Sequence, residues 1–113
     1  MFLTLYVEED DLVDIMGEVL SMKTVYYPLG QSLRLRTYYL KAIREAYPSE
    51  SDAEQALEDV LLLWLHQKYN VKKFGPPTWK MLVEAVDKKA GGNNHDLANE
   101  IASNHPAGII QLI

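Results

Sequence analysis

Several residue types that would indicate particular chemistry are missing from this sequence or rare in it. The 113 residues include no cysteine, which excludes a disulfide framework and a thiolate metal site. No apolar run approaches the ~20 residues that a membrane-spanning helix needs. The short apolar start, residues 1–7, lacks a basic beginning and runs into four acidic residues, so no signal peptide is predicted. We therefore expect a soluble, cytoplasmic protein.

An excess of basic residues is also missing. Eleven lysines and arginines stand against sixteen acidic residues, which gives a net charge of −5 and argues against a general polyanion binder. The two signs are segregated along the chain, with acidic residues concentrated in 8–18 and 45–59 and basic residues in 34–44 and 68–80. Such segregation is expected where one protein face recognises another.

Alternation of polar and apolar residues is almost absent, so a sheet is not predicted. The exception is residues 2–7, which could form a lone extended segment. Six segments instead have apolar residues at helical spacing, which predicts an all-α fold in a single domain. The first begins at Asp10 or Asp11, the second begins near Pro28, and the third covers about 37–46.

The fourth predicted helix is the longest and is expected to be the central one. Ser51 and Glu54 have the spacing of a capping box at its start, and we expect it to continue until just before Gly75. The fifth covers about 78–87, and Asn94 is the expected N-cap of the sixth. The large apolar residues on these three helices predict the centre of the core: Trp64, Trp79, Leu82, Leu97 and Ile101.

No catalytic, cofactor or metal site is predicted. The three histidines, His66, His95 and His105, have acidic residues in the neighbourhood but no second ligand at metal-binding spacing and no nucleophile. We therefore interpret them as structural residues. The Gly75-Pro76-Pro77 run is interpreted as a corner between helices rather than a polyproline ligand.

Several stretches resemble death domains. The runs WLHQKYNV (64–71) and GPPTWKMLVEAV (75–86) are similar to helices 4 and 5 of that family. The turn GGNN (91–94), followed by apolar residues at 97, 98, 101 and 102, resembles the entry into helix 6. YYPLG (26–30) is similar to the family's helix 2 pattern. The resemblance covers residues 10–106, and one departure is His95, where similar sequences often have proline.

The resemblance implies a fold and a function. The fold would be an antiparallel six-helix bundle with Greek-key topology, formed by residues 10–106, between an N-terminal extension at 1–9 and an apolar tail at 107–113. Trp79 would fill the centre of the bundle. The function would be that of a signalling adaptor in apoptosis or innate immunity, which oligomerises with other death domains, acts without a cofactor and is not an enzyme.

The resemblance also implies two contacts between neighbouring domains. The first would join the acidic face of helices 1 and 4 to the basic face of helices 2 and 3. The acidic face comprises Asp11, Asp14, Glu18, Glu54 and Glu58. The basic face comprises Arg34, Arg36, Lys41 and Arg44. The second contact would join Lys68 and Lys72, at the end of helix 4, to the turn before helix 6, with Asn93, His95 and Asp96.

The sequence allows alternatives for two tyrosines and for the function. Tyr38 and Tyr39 are neighbours and cannot both be buried on one helix face, so either could be an exposed interface anchor. A small helical nucleic-acid-binding domain is the alternative function, although helix 3 carries few basic residues for a recognition helix. A small all-α enzyme is a further alternative, and it would require a titratable group in a deep pocket.

Overall fold

The computed structural model describes residues 6–106. Within that range the chain forms seven α-helices, joined by turns and short 3-10 segments: α1 Leu12–Val19, α2 Tyr26–Ser32, α3 Thr37–Ala46, α4 Ala53–Leu65, α5 Val71–Phe74, α6 Trp79–Asp87 and α7 His95–Asn104. The predicted apolar tail at 107–113 and residues 2–5 of the predicted extended segment lie outside the described residues.

The all-α fold class is confirmed. Over residues 6–106 there is no strand, and a single bridge joins Tyr6 to Thr78. Among these helices none combines the length and the apolar character needed to cross a membrane. Tyr6 and Val7, assigned from sequence to the N-terminal extension, contact the helical domain. Val7 is buried and its N–H donates to the carbonyl of Pro77 at 2.9 Å.

Helix α4 is the longest helix described, and it lies at the centre as predicted. It packs against α1, α2 and α3, and its buried side chains recur at helical spacing: Ala53, Ala56, Leu57, Val60, Leu61, Trp64 and Leu65. Leu62 and Leu63, off that stripe, are half-buried. Helix α2 packs closely against α3 and α4 because Gly30 has no side chain. A Cβ at Gly30 would lie 2.5 Å from a Leu40 methyl group.

The centre of the core differs from the prediction at two positions. Trp64 is fully buried, whereas Trp79 and Leu97 are only partly buried and pack against the outside of the core. Trp79 is the first residue of α6, where its ring stacks on His105 at a centroid distance of 3.6 Å. The middle of the bundle is filled from α4 because that helix is surrounded by others, which helical spacing alone does not reveal. Leu82 and Ile101 are fully buried, as predicted.

The predicted capping box at the start of α4 is wrong. Residues Glu50–Asp52 form a 3-10 turn ahead of the helix, and Ser49 caps this turn, its hydroxyl accepting from the Ser51 N–H at 3.3 Å. The extra turn moves the capping side chain two residues upstream of Ser51. Helix α4 then begins at Ala53 without a capping side chain of its own.

The predicted end of the fourth helix is also wrong. It ends at Leu65, and Gln67 follows with φ +61°, a left-handed conformation that cannot continue an α-helix. Asn70 then caps the one-turn helix α5 by accepting the Lys73 N–H. Tyr69 folds into the core, and its hydroxyl donates to the Gly75 carbonyl at 2.7 Å. Burial raises the pKa of Tyr69 to about 12.

Helices α6 and α7 form a closely packed pair at the end of the described chain. Thr78 caps α6 by accepting the N–H of Met81, and Asn94 caps α7 by accepting the N–H of Leu97, which confirms the predicted cap. In the turn between them, the backbone of Gly91 passes against α6. A Cβ at Gly91 would lie 2.5 Å from the Ala85 carbonyl oxygen.

Candidate interaction surfaces

Three of the five carboxylates on the predicted acidic face make no ion pair within residues 6–106, and the other two make contacts inside the domain. Asp14 on α1 and Glu54 on α4 are exposed, and Glu58 is half-exposed on the same helix. None of these three has a cationic partner within 4.0 Å among residues 6–106. Because α1 packs against α4, these free carboxylates lie on neighbouring helices and are available to a partner.

Asp11 and Glu18 serve the domain itself, which the sequence did not indicate. The Asp11 carboxylate accepts the backbone N–H of Glu8 at 2.8 Å and so closes the first turn. Glu18 is only 19% exposed; its carboxylate accepts from Asn104 Nδ2 at 3.1 Å and lies 3.1 Å from His105 Nε2. Glu18 therefore ties α1 to the end of α7, and its place in the predicted interface stays a prediction.

An apolar residue stands in the acidic part of α1. Val13 is 81% exposed, next to Asp14 and one turn before Gly17. A Cβ at Gly17 would meet nothing within 4 Å, so no other part of the domain covers this part of the helix surface. Burying an exposed apolar side chain is favourable by about 25 cal/mol per Å². Val13 is thus an exposed apolar residue that charge patterning missed, although its place off the apolar stripe of α1 could have indicated it.

The basic face is exposed at all four predicted positions. Two of its arginines lie over aromatic rings. The guanidinium carbon of Arg34 is 4.0 Å from the Phe74 ring centre, and that of Arg44 is 4.7 Å from the Tyr27 ring centre. Arg36 and Lys41 make no ion pair among residues 6–106. The stacked arginines keep their outward N–H groups available, because cation–π contact uses the face of the guanidinium.

Of the adjacent tyrosines at the start of α3, Tyr38 is the exposed one. It is 62% exposed, whereas Tyr39 is half-buried, and their ring centroids are 4.3 Å apart. The hydrogen bond with Tyr39 raises the pKa of Tyr38, and the positive charges of Arg36 and Lys68 act on it in the opposite direction. Tyrosine is enriched among the residues that dominate binding at protein interfaces.

The second predicted contact has its acidic half at the turn before α7. Asn93 has φ +50° and forms the turn, with its N–H bonded to the Lys88 carbonyl. His95 Nδ1 lies 2.7 Å from the carboxylate of Asp87, and Asp96 is exposed. The hydrogen bond with Asp87 and that carboxylate's charge raise the pKa of His95. Asp87, the last residue of α6, therefore lies beside the turn that was predicted to take part in this contact.

The basic half of the second contact does not lie on helix α4. Lys68 is in the turn that follows α4, and Lys72 is in α5, because α4 ends earlier than predicted. Phe74 of α5 lies under Arg34. The structure thus brings the two predicted basic surfaces together at this contact, which no spacing in the sequence indicated.

An open groove of about 430 Å³ lies between α3 and the end of α4. It is mainly apolar, with Leu62 and Leu63 in its wall, and it has the titratable side chains of Asp59 and His66 at its edge. His66 lies 3.1 Å from the Glu9 carboxylate, so it ties α4 to the start of the chain. Within residues 6–106 no three histidine or acidic side chains converge as a metal site would require.

Comparisons with known proteins give no assignment. No protein-family model matches the chain, and neither the curated proteins nor the solved structures compared with it include a match.

Proposed function

We propose that this chain is a death domain that assembles with other death domains through oppositely charged faces, and that it acts in the cytoplasm as a signalling adaptor for apoptosis or innate immunity. The proposal includes Greek-key topology for the helix bundle. It also includes the absence of any catalytic role, so that the protein works by binding alone.

The observation that carries the proposal is that two surfaces have opposite charge and that their exposed residues make no ion pair within residues 6–106. Asp14, Glu54 and Glu58 lie free on α1 and α4, and Arg36 and Lys41 lie free between α2 and the middle of α3. Two different patches on one chain make a head-to-tail contact possible, and repeated contacts of that kind build rings, stacks or filaments. Complementary charge steers the encounter and sets the register.

The resemblance in residues 10–106 supports the family assignment. The structure has helices over each of the six predicted segments, with α5 as an additional single turn between the fourth and fifth. Val13 supplies an exposed apolar group beside the acidic residues of α1, and Tyr38 supplies an exposed aromatic group beside the basic residues of α3. An interface with such groups among charged residues gains affinity from desolvation as well as from charge.

The test is size-exclusion chromatography with light scattering over a range of protein and salt concentrations. We expect a mass that rises with protein concentration and falls with added salt, because exposed charges are screened beyond ~8 Å at physiological ionic strength. A parallel electrophoretic mobility assay with DNA addresses the nucleic-acid alternative. A salt-sensitive DNA shift by a protein that stays monomeric would favour that alternative over assembly.

A further inference from the structure

Two short segments far apart in sequence meet on the surface. The Arg34 guanidinium carbon is 4.0 Å from the centre of the Phe74 ring. This contact brings residues 34–38 next to residues 68–74. We call the surface that they form the basic strip.

The basic strip contains five cations and no acidic residue: Arg34, Arg36, Lys68, Lys72 and Lys73. None of them lies within 4.0 Å of a carboxylate in residues 6–106, although the chain has sixteen acidic residues. Like charges held close together repel each other, which opposes folding. A strip of this composition in an acidic protein indicates an anionic ligand.

Arg34 is held in an unusual conformation at the edge of the strip. Its φ is +71°, in the left-handed region that glycine or asparagine usually occupies. The guanidinium lies over Phe74, and Lys73 Nζ is 5.3 Å from the centre of the same ring. The aromatic ring thus holds two cations together while the N–H edge of the arginine stays free. That edge binds phosphate or carboxylate oxygens in pairs.

We propose that the basic strip binds a compact ligand bearing several phosphate groups, of the inositol polyphosphate type, either free or as a lipid headgroup. Residues 34–38 span at most roughly 14 Å, and Arg34 and Lys73 lie against the same Phe74 ring, so cations of both segments lie close enough to contact one such ligand. A protein face would need a similar number of carboxylates in the same small area. This binding goes beyond the proposed assembly and does not depend on it.

Isothermal titration calorimetry with inositol hexakisphosphate tests the proposal, at a protein concentration where the chain is monomeric. The double variant Arg36→Glu/Lys72→Glu changes two strip residues that make no ion pair among residues 6–106. The matched control Lys88→Glu/Lys89→Glu makes the same change of charge at the exposed turn after α6. We expect at least a tenfold loss of affinity in the strip variant and less than a twofold loss in the control.

Vesicle sedimentation distinguishes the two sources of the ligand. Binding to vesicles that contain phosphatidylinositol bisphosphate, and not to vesicles with phosphatidylserine at equal charge, identifies a lipid headgroup. Binding of the soluble polyphosphate without vesicle binding identifies a free ligand. Both outcomes support the proposal.

Three results would overturn it: no binding of the polyphosphate by the wild type, equal losses in both double variants, or tighter binding of an acidic peptide than of the polyphosphate. Lys41→Glu separates this proposal from the proposed function, because Lys41 belongs to the predicted assembly face and not to the strip. Failure of assembly leaves the calorimetric result intact, and failure of ligand binding leaves assembly intact.

Discussion

At the scale of single residues, the two tryptophans have different environments. Trp64 is fully buried and its indole N–H has no hydrogen-bond partner among residues 6–106. We expect Trp64→Ala to lower the free energy of unfolding by about 3–5 kcal/mol, because a cavity would remain in the core. Trp79→Ala should cost about 1–2 kcal/mol, since only part of that ring is buried. Chemical denaturation of both variants provides the measurement.

Trp64→Phe is the matched control for this pair. It keeps an aromatic ring in the core and removes a buried N–H group, whose desolvation costs about 1–3 kcal/mol when unsatisfied. Its loss of stability should therefore be much smaller than that of Trp64→Ala. The packing described for the core is contradicted if Trp79→Ala destabilises the protein more than Trp64→Ala does.

The pairing of His95 with Asp87 predicts a pH dependence. The pKa of His95 is higher in the folded protein than in the unfolded chain, first because of the hydrogen bond to Asp87 and then because of that carboxylate's charge. Its stabilising contribution is therefore fully present below the unfolded pKa of roughly 6.5 and is lost as pH rises through the folded pKa. The wild type should exceed Asp87→Asn in melting temperature at pH 6 by more than at pH 8.5.

NMR titration of the histidine ring protons checks this assignment directly. The His95 signal should titrate at a higher pH in the wild type than in Asp87→Asn. Identical titration curves in the two proteins would show that the contact is absent in solution.

At the scale of elements, two glycines predict opposite effects of the same substitution. Gly17 lies exposed in α1, where a Cβ would meet nothing, so Gly17→Ala should stabilise the protein by about 0.5–1 kcal/mol through helix propensity. Gly91 lies where a Cβ would meet Ser32 and the Ala85 carbonyl. Gly91→Ala should destabilise the protein by about 1–3 kcal/mol, because the turn must shift. Thermal melts that show the same sign for both variants would contradict the described packing.

The sequence predicted those elements whose signals are local. Helix α3 has the predicted bounds, Thr37–Ala46, and Asn94 caps α7 as its position before an apolar-periodic run indicated. The end of α4 was missed because the apolar positions continue to Tyr69, which is buried although the helix has already ended. The apolar residues after Leu65 have helical spacing although they do not lie in that helix. Glutamine is not a residue type typical of left-handed backbone, so Gln67 did not indicate that the helix ends.

The surfaces also were predicted where the signal is local and missed where it depends on tertiary contacts. Charge blocks along the sequence predicted which cations are exposed, because the charged residues of 34–44 occupy positions other than those of the buried Leu35, Leu40 and Ile43. The approach of 34–38 to 68–74 depends on tertiary packing and has no signal in either segment. The role of Glu18 was missed for the same reason, since its partners, Asn104 and His105, are more than 80 residues away.

At the scale of the whole molecule, the central claim is that an acidic face of one copy meets a basic face of another. Asp14 and Lys41 suit a test of this claim because both are exposed and neither makes an ion pair among residues 6–106. Exposed charge substitutions usually change stability by less than ~0.5 kcal/mol. Assembly can therefore be altered while the fold, monitored by circular dichroism, stays intact.

The most direct measurement is light scattering of Asp14→Lys and Lys41→Glu, alone and mixed in equal amounts. We expect each variant alone to have a lower average mass than the wild type at the same concentration. The mixture should recover part of that mass, because the reversed acidic face of one variant matches the reversed basic face of the other. A wild type that stays monomeric at every salt and protein concentration and binds no death domain would contradict the account.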